Sequence, residues 1–398
     1  MPRVVKLVNV SDKNNNKEYL MVENADGVSW IAKWGRVGYG MQECTYPTSQ
    51  WDKKYKEKIK KGYSDITDLV SVEKEDPSAE PELKISGFSK VCMDLVNFLQ
   101  NCAKGVVKQN YTVKVADVTQ KQVDAAQAIL DQLAVRAQGK WDRKDINAGL
   151  LDLYRTIPRK MSNTKFFLMQ DDDKPSKLPT LLSNEQDLLD TMGGQVATQA
   201  QTTTTKDKKE LKLDIEMREA TPEEIDEIKK NTDLDFSKVG KVFRVTNGRT
   251  GKIYTGHYST VPRSKEFLLY HGSRNENWWS IVNAGLKIRP TNAVHTGSMF
   301  GSGVYFANRA RKSIGYSSLR GSYWASGSSN KAFLALYQVN VGHMMNVSHG
   351  DSSLNLHRVR SAGYDTVFAK GGADLINDEH IIYEEPRCTI KYLIELRA

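Results

Sequence analysis

The chain has 398 residues, 39% apolar and 26% charged, with a formal net charge of +9. That length suffices for two to four domains with sizeable cores, in the composition range of globular proteins. No apolar run reaches membrane-spanning length and Met1-Pro2-Arg3 opens no secretory signal, so a membrane or secreted protein is not expected.

Four cysteines (Cys44, Cys92, Cys102, Cys388) show no C-x-x-C spacing and read as free thiols, which implies an intracellular protein. The charge is uneven: +5 over residues 1–62, −2 over 63–210 and +6 over 211–398. A small positive N-terminal unit suits a polyanion, and on charge alone a plain solvated surface explains it equally well.

Residues 3–46 read as four strands: Val4–Val10, Tyr19–Val22, Val28–Trp34 and Gly40–Tyr46. Ser49 is placed to cap a helix ending near Gly62, with Trp51, Tyr55 and Ile59 on one buried face and lysines on the rest. An acidic, proline-bearing linker covers 73–84. From Ser86 to Val196 the pattern is helical, with Thr119 as a cap, a stop at Ile157-Pro158 and a last short helix around Leu188-Leu189.

Residues 197–210 are polar and low in complexity, which predicts a loop. Beyond them come a strand over Leu211–Met217 and a helix over Pro222–Lys230 capped by Thr221. A hairpin is expected next, with Val242–Thr246 and Ile253–Tyr258 flanking Asn247-Gly248. All seven histidines lie beyond residue 256, so histidine chemistry belongs to this C-terminal part.

Phe267-Leu268-Leu269-Tyr270 is strand-like and ends in His271-Gly272-Ser273. Asn308 is placed to cap a helix that would set Ser313 and Tyr316 three residues apart on one face. A histidine at a strand end, a glycine beside it, a hydroxyl and the rings of Tyr305 and Tyr316 suit a flat carboxamide. By residue type alone, satisfied core His and Tyr account for the same residues better.

Three sets of motifs resemble known families. Trp34-Gly35-Arg36, among four strands and a helix, resembles WGR domains. Leu268–Arg274, Met299–Ala307, Lys312-Ser313-x-x-Tyr316 and Asn377–Tyr383 resemble the catalytic domain of poly(ADP-ribose) polymerases. Thr119–Leu130 and Leu153–Pro158 resemble the helical regulatory domain of the same family. The order is that of its DNA-dependent members.

The resemblance implies a multidomain α+β protein. A small sheet-plus-helix WGR domain (1–72) and linker (73–84) would precede an all-α regulatory bundle (85–196). A second linker (197–210) would lead to a mixed α/β transferase domain with a split antiparallel sheet (211–398). It implies NAD+ as substrate and no metal. Gly272 and Ser313 would hold the nicotinamide carboxamide between Tyr305 and Tyr316. His271 would bind the adenine-side ribose, with Ser273, Asn277 and Lys312 lining the site.

Glu379 would stabilise the oxocarbenium-like transition state and orient an acceptor hydroxyl, completing the catalytic set with His271 and Tyr305. Trp34, Gly35 and Arg36 would meet a DNA end or the neighbouring domain. Implied partners are DNA strand breaks, protein acceptors including the chain itself, and an accessory protein completing the active site. The compartment would be nuclear in a eukaryote and cytoplasmic in a bacterium.

Four positions depart from the family pattern: Lys287, Ser298, Asn377 and His380. A mono-ADP-ribosyltransferase and an inactive DNA-binding protein are the alternatives.

Overall fold

The computed structural model describes residues 2–67, 85, 87–111, 118–137, 139–200, 202–205, 208–211, 214–262, 264–288 and 299–398. The expected linker over 73–84 and Ser298 lie outside them. The described chain divides into two units: 2–67 with 105–199, and 85–104 with 200–288 and 299–398. The helical stretch expected as one segment, 85–196, is therefore divided near residue 104. No helix among the described residues is long and apolar enough to cross a membrane.

In the first unit, β1 (Val4–Ser11), β2 (Asn15–Glu23), β3 (Ser29–Arg36), β4 (Gln42–Pro47) and β5 (Ser64–Asp65) form an antiparallel sheet in the order β4-β3-β2-β1-β5. Val5 pairs with Met21 and Leu7 with Tyr19, and these residues share a core with Trp30 and Trp51. Trp51 opens α1 (Trp51–Lys60) and meets Trp30 edge-on at 5.1 Å. Ser49 does not cap this helix. It lies in a 3-10 turn, Thr48–Gln50, which continues from the extended Pro47, and Gln50 precedes α1 without a side-chain bond.

Helix α2 (Lys90–Asn110) supplies residues to both units. Helices α3 (Gln120–Ala137), α4 (Arg143–Thr156) and α5 (Lys177–Ala200) complete the first unit around Leu130, Leu133, Leu150, Tyr154, Leu182 and Met192. Thr119 and Gln122 cap α3 reciprocally: Gln122 N donates to Thr119 Oγ1 at 3.2 Å and Thr119 N to Gln122 Oε1 at 3.0 Å. The stretch expected as a loop, 197–210, instead ends α5 and then pairs β6 (Thr202–Thr205) with β7 (Lys208–Leu211). Four β-branched threonines favour a strand, a preference that low complexity conceals.

The second unit contains β8 (Ile215–Glu219), α6 (Pro222–Asn231), β9 (Val239–Asn247), α7 (Gly248–Thr260), β10 (Glu266–Gly272) and α8 (Asn275–Ala284). Then follow β11 (Val304–Phe306), α9 (Ala310–Ile314), β12 (Lys331–Asn340), β13 (Met344–Val347), α10 (Leu356–Ser361), β14 (Thr366–Ala369), β15 (Glu379–Ile382) and β16 (Cys388–Arg397). One sheet runs β10-β12-β16-β9-β8 and is antiparallel throughout. The other runs β11-β15-β14-β13, and its β13–β14 pair is parallel, so the split sheet is not wholly antiparallel.

The expected hairpin at Asn247-Gly248 is a helix start. Asn247 Oδ1 accepts from Thr250 N at 2.9 Å, while its Nδ2 donates to Val282 O at 2.8 Å. A buried asparagine with both ends bonded caps α7, and the turn-forming pair does not close a hairpin. Early α2 belongs to the second unit's core: Cys92, Leu95, Val96 and Leu99 are buried there, and Phe98 meets Phe333 at 5.8 Å.

Candidate active site

The two sheets of the second unit meet where β10 passes β11. Tyr270 N donates to Ala307 O at 2.8 Å and Ala307 N returns the bond to Tyr270 O at 3.0 Å. This bridge sets His271 beside Tyr305, and the ring nitrogen Nδ1 of His271 donates to Tyr305 O at 3.0 Å. The imidazole lies among Trp278, Phe306 and Tyr337, and burial lowers its pKa, so the ring is neutral near pH 7. With Nδ1 committed as donor, Nε2 is the acceptor.

Gly272 follows where β10 packs directly against Ser313 of α9. A Cβ there would stand 1.8 Å from Ser313 O, so only glycine fits. Ser313 is buried on α9. Tyr305 is locked by its own hydroxyl, which donates to Gly301 O at 2.7 Å and accepts from Phe300 N at 3.0 Å. Its ring face is therefore what it offers a ligand. Burial pushes the Tyr316 phenol up to about 12, and the charge of Glu379 adds to the rise. Glu379 acts on Tyr305 in the same direction, and the β11–β15 pairing sets Tyr305 opposite Ile381, two residues from Glu379.

Glu379 opens β15 and is buried. Lys312, one position before Ser313 on α9, places Nζ 2.7 Å from Glu379 Oε1. Burial raises the Glu379 pKa and the lysine opposes the rise. Such a carboxylate is partly desolvated yet held charged by one partner, which suits it to meet developing positive charge.

His271, Gly272, Tyr305, Lys312, Ser313, Tyr316 and Glu379 thus gather at the junction of β10, β11, α9 and β15. Ser273 and Asn277 sit at the start of α8, with Asn277 Nδ2 donating to Ser273 Oγ at 3.2 Å. Lys287 pairs with Glu385 at 2.9 Å. His380 packs between Phe267 and Phe368 at ring separations of 5.5 and 4.9 Å.

Two supports escaped sequence reading. Asn308 does not cap α9; its Nδ2 donates to Asp378 at 3.3 Å. The acceptor for Ala310 N is Asp233 Oδ1 at 2.9 Å, from the segment after α6. No local pattern links Asp233 to a helix 77 residues later, so no sequence signal could have found it. Asp378 also accepts from Gly371 N at 2.8 Å and braces the approach to Glu379.

In the first unit, Trp34 is partly buried and stacks on Tyr19 at 6.1 Å and 29°. Gly35 pairs with Glu18 across β2. Arg36 is spent on protein acceptors: Nη2 donates to Ser162 O at 2.8 Å and Met161 O at 3.0 Å, and Nη1 to Asn14 O at 3.2 Å. These bonds join the end of β3 to the segment that follows α4 in the same unit.

Residues 223–374 match the poly(ADP-ribose) polymerase catalytic domain model. A putative poly [ADP-ribose] polymerase-like protein, 100L of Invertebrate iridescent virus 6, is 31% identical over 167 residues, covering 40% of this chain and 87% of the viral protein. The uncharacterized protein 101L of the same virus is 29% identical over 193 residues, 48% of this chain and 76% of that protein. Poly [ADP-ribose] polymerase 2 of Zea mays is 32% identical over 148 residues, and the match spans only 22% of its length.

A split sheet with these groups at its junction, matched along this domain, defines an NAD+ ADP-ribosyltransferase. The chain belongs to the poly(ADP-ribose) polymerase family. The residues at the junction fit NAD+ as substrate: a neutral imidazole acceptor, a glycine in close approach, two ring faces and a buried carboxylate.

Proposed function

We propose that this protein is a DNA-break-activated ADP-ribosyltransferase of the DNA-damage response. It consumes NAD+, releases nicotinamide, and transfers and elongates ADP-ribose on protein acceptors including itself. The observation that carries the chemical part is the buried Lys312–Glu379 pair beside Tyr305 and Tyr316.

In this reading the Gly272 backbone and Ser313 hydroxyl take the carboxamide, and the two tyrosine faces hold the ring. His271 Nε2 accepts a hydroxyl of the adenine-side ribose. Glu379 accepts a hydroxyl of the nicotinamide ribose and faces the anomeric carbon. The glycosidic C–N bond breaks with its electron pair leaving on nicotinamide. The acceptor oxygen forms the new bond and gives its proton toward Glu379. A fixed carboxylate favours the charge-separated transition state over the ground state.

The DNA part rests on the first unit. Lys58 Nζ lies 4.0 Å from the centre of the buried Tyr19 ring, which stacks on the partly buried Trp34, so a cation and one part-open aromatic ring share one patch. Such a combination suits a nucleic-acid end, through phosphate attraction and base stacking. The test is nicotinamide release from NAD+ by the purified protein with intact, nicked and 5′-phosphorylated DNA. Stimulation by broken DNA alone supports the reading; equal rates in all three remove DNA activation from it.

A further inference from the structure

The loop between α9 and β12 is rich in glycine and serine, and beyond Tyr316 the proposed chemistry assigns it no role. It is nonetheless tightly built. Ser329 N donates to Ser318 O at 3.0 Å, Arg320 N to Ser329 O at 2.8 Å, and Gly327 N to Ser322 Oγ at 2.8 Å. Ser318 Oγ accepts from Asn275 N at 2.9 Å, which ties the loop to the start of α8. This frame holds one side chain against the site. Trp324 N and Ala325 N both donate to Gly315 O, at 2.9 and 3.0 Å. The indole stacks on Tyr316 with centroids 6.1 Å apart and planes 18° from parallel.

Trp324 remains 59% exposed and Tyr323, edge-on to it at 4.6 Å, is 79% exposed. Two large exposed aromatics contribute little buried area to folding, so stability does not explain their placement. Gly315 is part of the arrangement, because a Cβ there would come within 3.0 Å of Trp324 Cδ1. One face of Tyr316 is thus covered by an indole held through two backbone bonds.

We propose that Trp324 is a positioning residue for the nicotinamide ring: it fixes the plane of Tyr316, and through Tyr316 the plane in which the ring stacks. The proposal rests on the reading of Tyr316 as a nicotinamide contact. A near-parallel aromatic pair resists tilting of either ring, and the ligand then binds a surface already flat.

The test compares wild type with Trp324→Ala, Trp324→Leu, Trp324→Phe and Tyr316→Ala in the full chain. Readouts are the KM for NAD+, kcat, inhibition by free nicotinamide, and tryptophan fluorescence during nicotinamide titration. Trp324→Ala and Trp324→Leu are expected to raise KM and the nicotinamide inhibition constant about three- to tenfold, the range of one aromatic pair. The fall in kcat is smaller than the rise in KM. Trp324→Phe, which keeps a ring, recovers most of the loss. The fluorescence response to nicotinamide shrinks in all three Trp324 variants.

If Tyr316→Ala weakens nicotinamide binding while Trp324→Ala leaves it at the wild-type value, the positioning role is wrong and the pocket reading stands. If Tyr316→Ala also leaves binding unchanged, the pocket reading fails and this proposal fails with it.

Discussion

Lys312 Nζ sits 2.7 Å from Glu379 Oε1, with both side chains at most one-tenth exposed. Burial raises the Glu379 pKa and Lys312 opposes that rise, so the lysine widens the pH range in which the carboxylate is charged. Removing the cation in Lys312→Met should raise the Glu379 pKa further. The acid limb of the kcat profile then moves to higher pH, while Lys312→Arg stays near wild type. An unmoved acid limb in Lys312→Met would separate Glu379 from the observed ionisation.

His380 supplies a stability prediction with a defined sign. Burial lowers its pKa from the ordinary 6.5 to about 4. The folded state holds it neutral, whereas the unfolded chain takes up a proton below 6.5. Its contribution is fully present above that value and is lost as pH falls toward about 4. The loss is on the order of 3 kcal/mol. Denaturant melts at pH 7 and pH 4 should show that loss in wild type and a clearly smaller one in His380→Phe.

Asp233 accepts from Ala310 N and lies 3.8 Å from Arg309, so it anchors the helix that carries Lys312 and Ser313. Asp233→Ala should cost about 1 kcal/mol of stability, as loss of a cap does. Activity should fall by more than that stability loss explains at a temperature where the variant is fully folded. Asp233→Asn, which keeps the acceptor, should recover the rate.

Trp34 and Arg36 separate by what they touch. Arg36 donates to Met161 and Ser162 carbonyls in its own unit, so Arg36→Ala should lower stability by about 2 kcal/mol. Trp34 is partly open, and Trp34→Ala should weaken binding to DNA ends about tenfold or more with a smaller change in melting. Affinity measured across a salt series distinguishes the two, because lost stacking leaves the salt slope in place.

The resemblance of the helical stretch to a regulatory domain implies that it holds the enzyme inactive until DNA binds, and the division of α2 decides where a deletion that tests this must fall. Cys92, Leu95, Val96 and Leu99 fill the second unit's core, so deleting residues 85–196 removes part of that core. A deletion limited to residues 112–196 retains these side chains. The shorter deletion should give a soluble enzyme active without DNA, while the longer one should melt earlier. A folded but silent short deletion would contradict regulation by the helices.

Short-range signals were legible in the sequence. Thr119 and Thr221 begin helices as their types dictate, and β10 stops at His271-Gly272. The failures are of two kinds. Asn247-Gly248 and Asn308 are ambiguous locally, since asparagine serves turns and caps alike, and long-range bonds to Val282 and Asp378 decided between them. Asp233, Trp324 and the core role of early α2 depend on partners far away in the chain, and no periodicity encodes those. Gly272 shows both sides: its type suggested a close backbone approach, but that the neighbour is Ser313, whose carbonyl oxygen would lie 1.8 Å from any Cβ placed there, comes from the fold.

The most direct test of the account is the product made by Glu379→Gln from labelled NAD+, resolved by size beside wild type. The substitution keeps the shape and removes the charge held by Lys312. The variant is expected to fold, still release nicotinamide slowly and attach at most single ADP-ribose units, while wild type makes chains. Chains of wild-type length from Glu379→Gln would contradict the account.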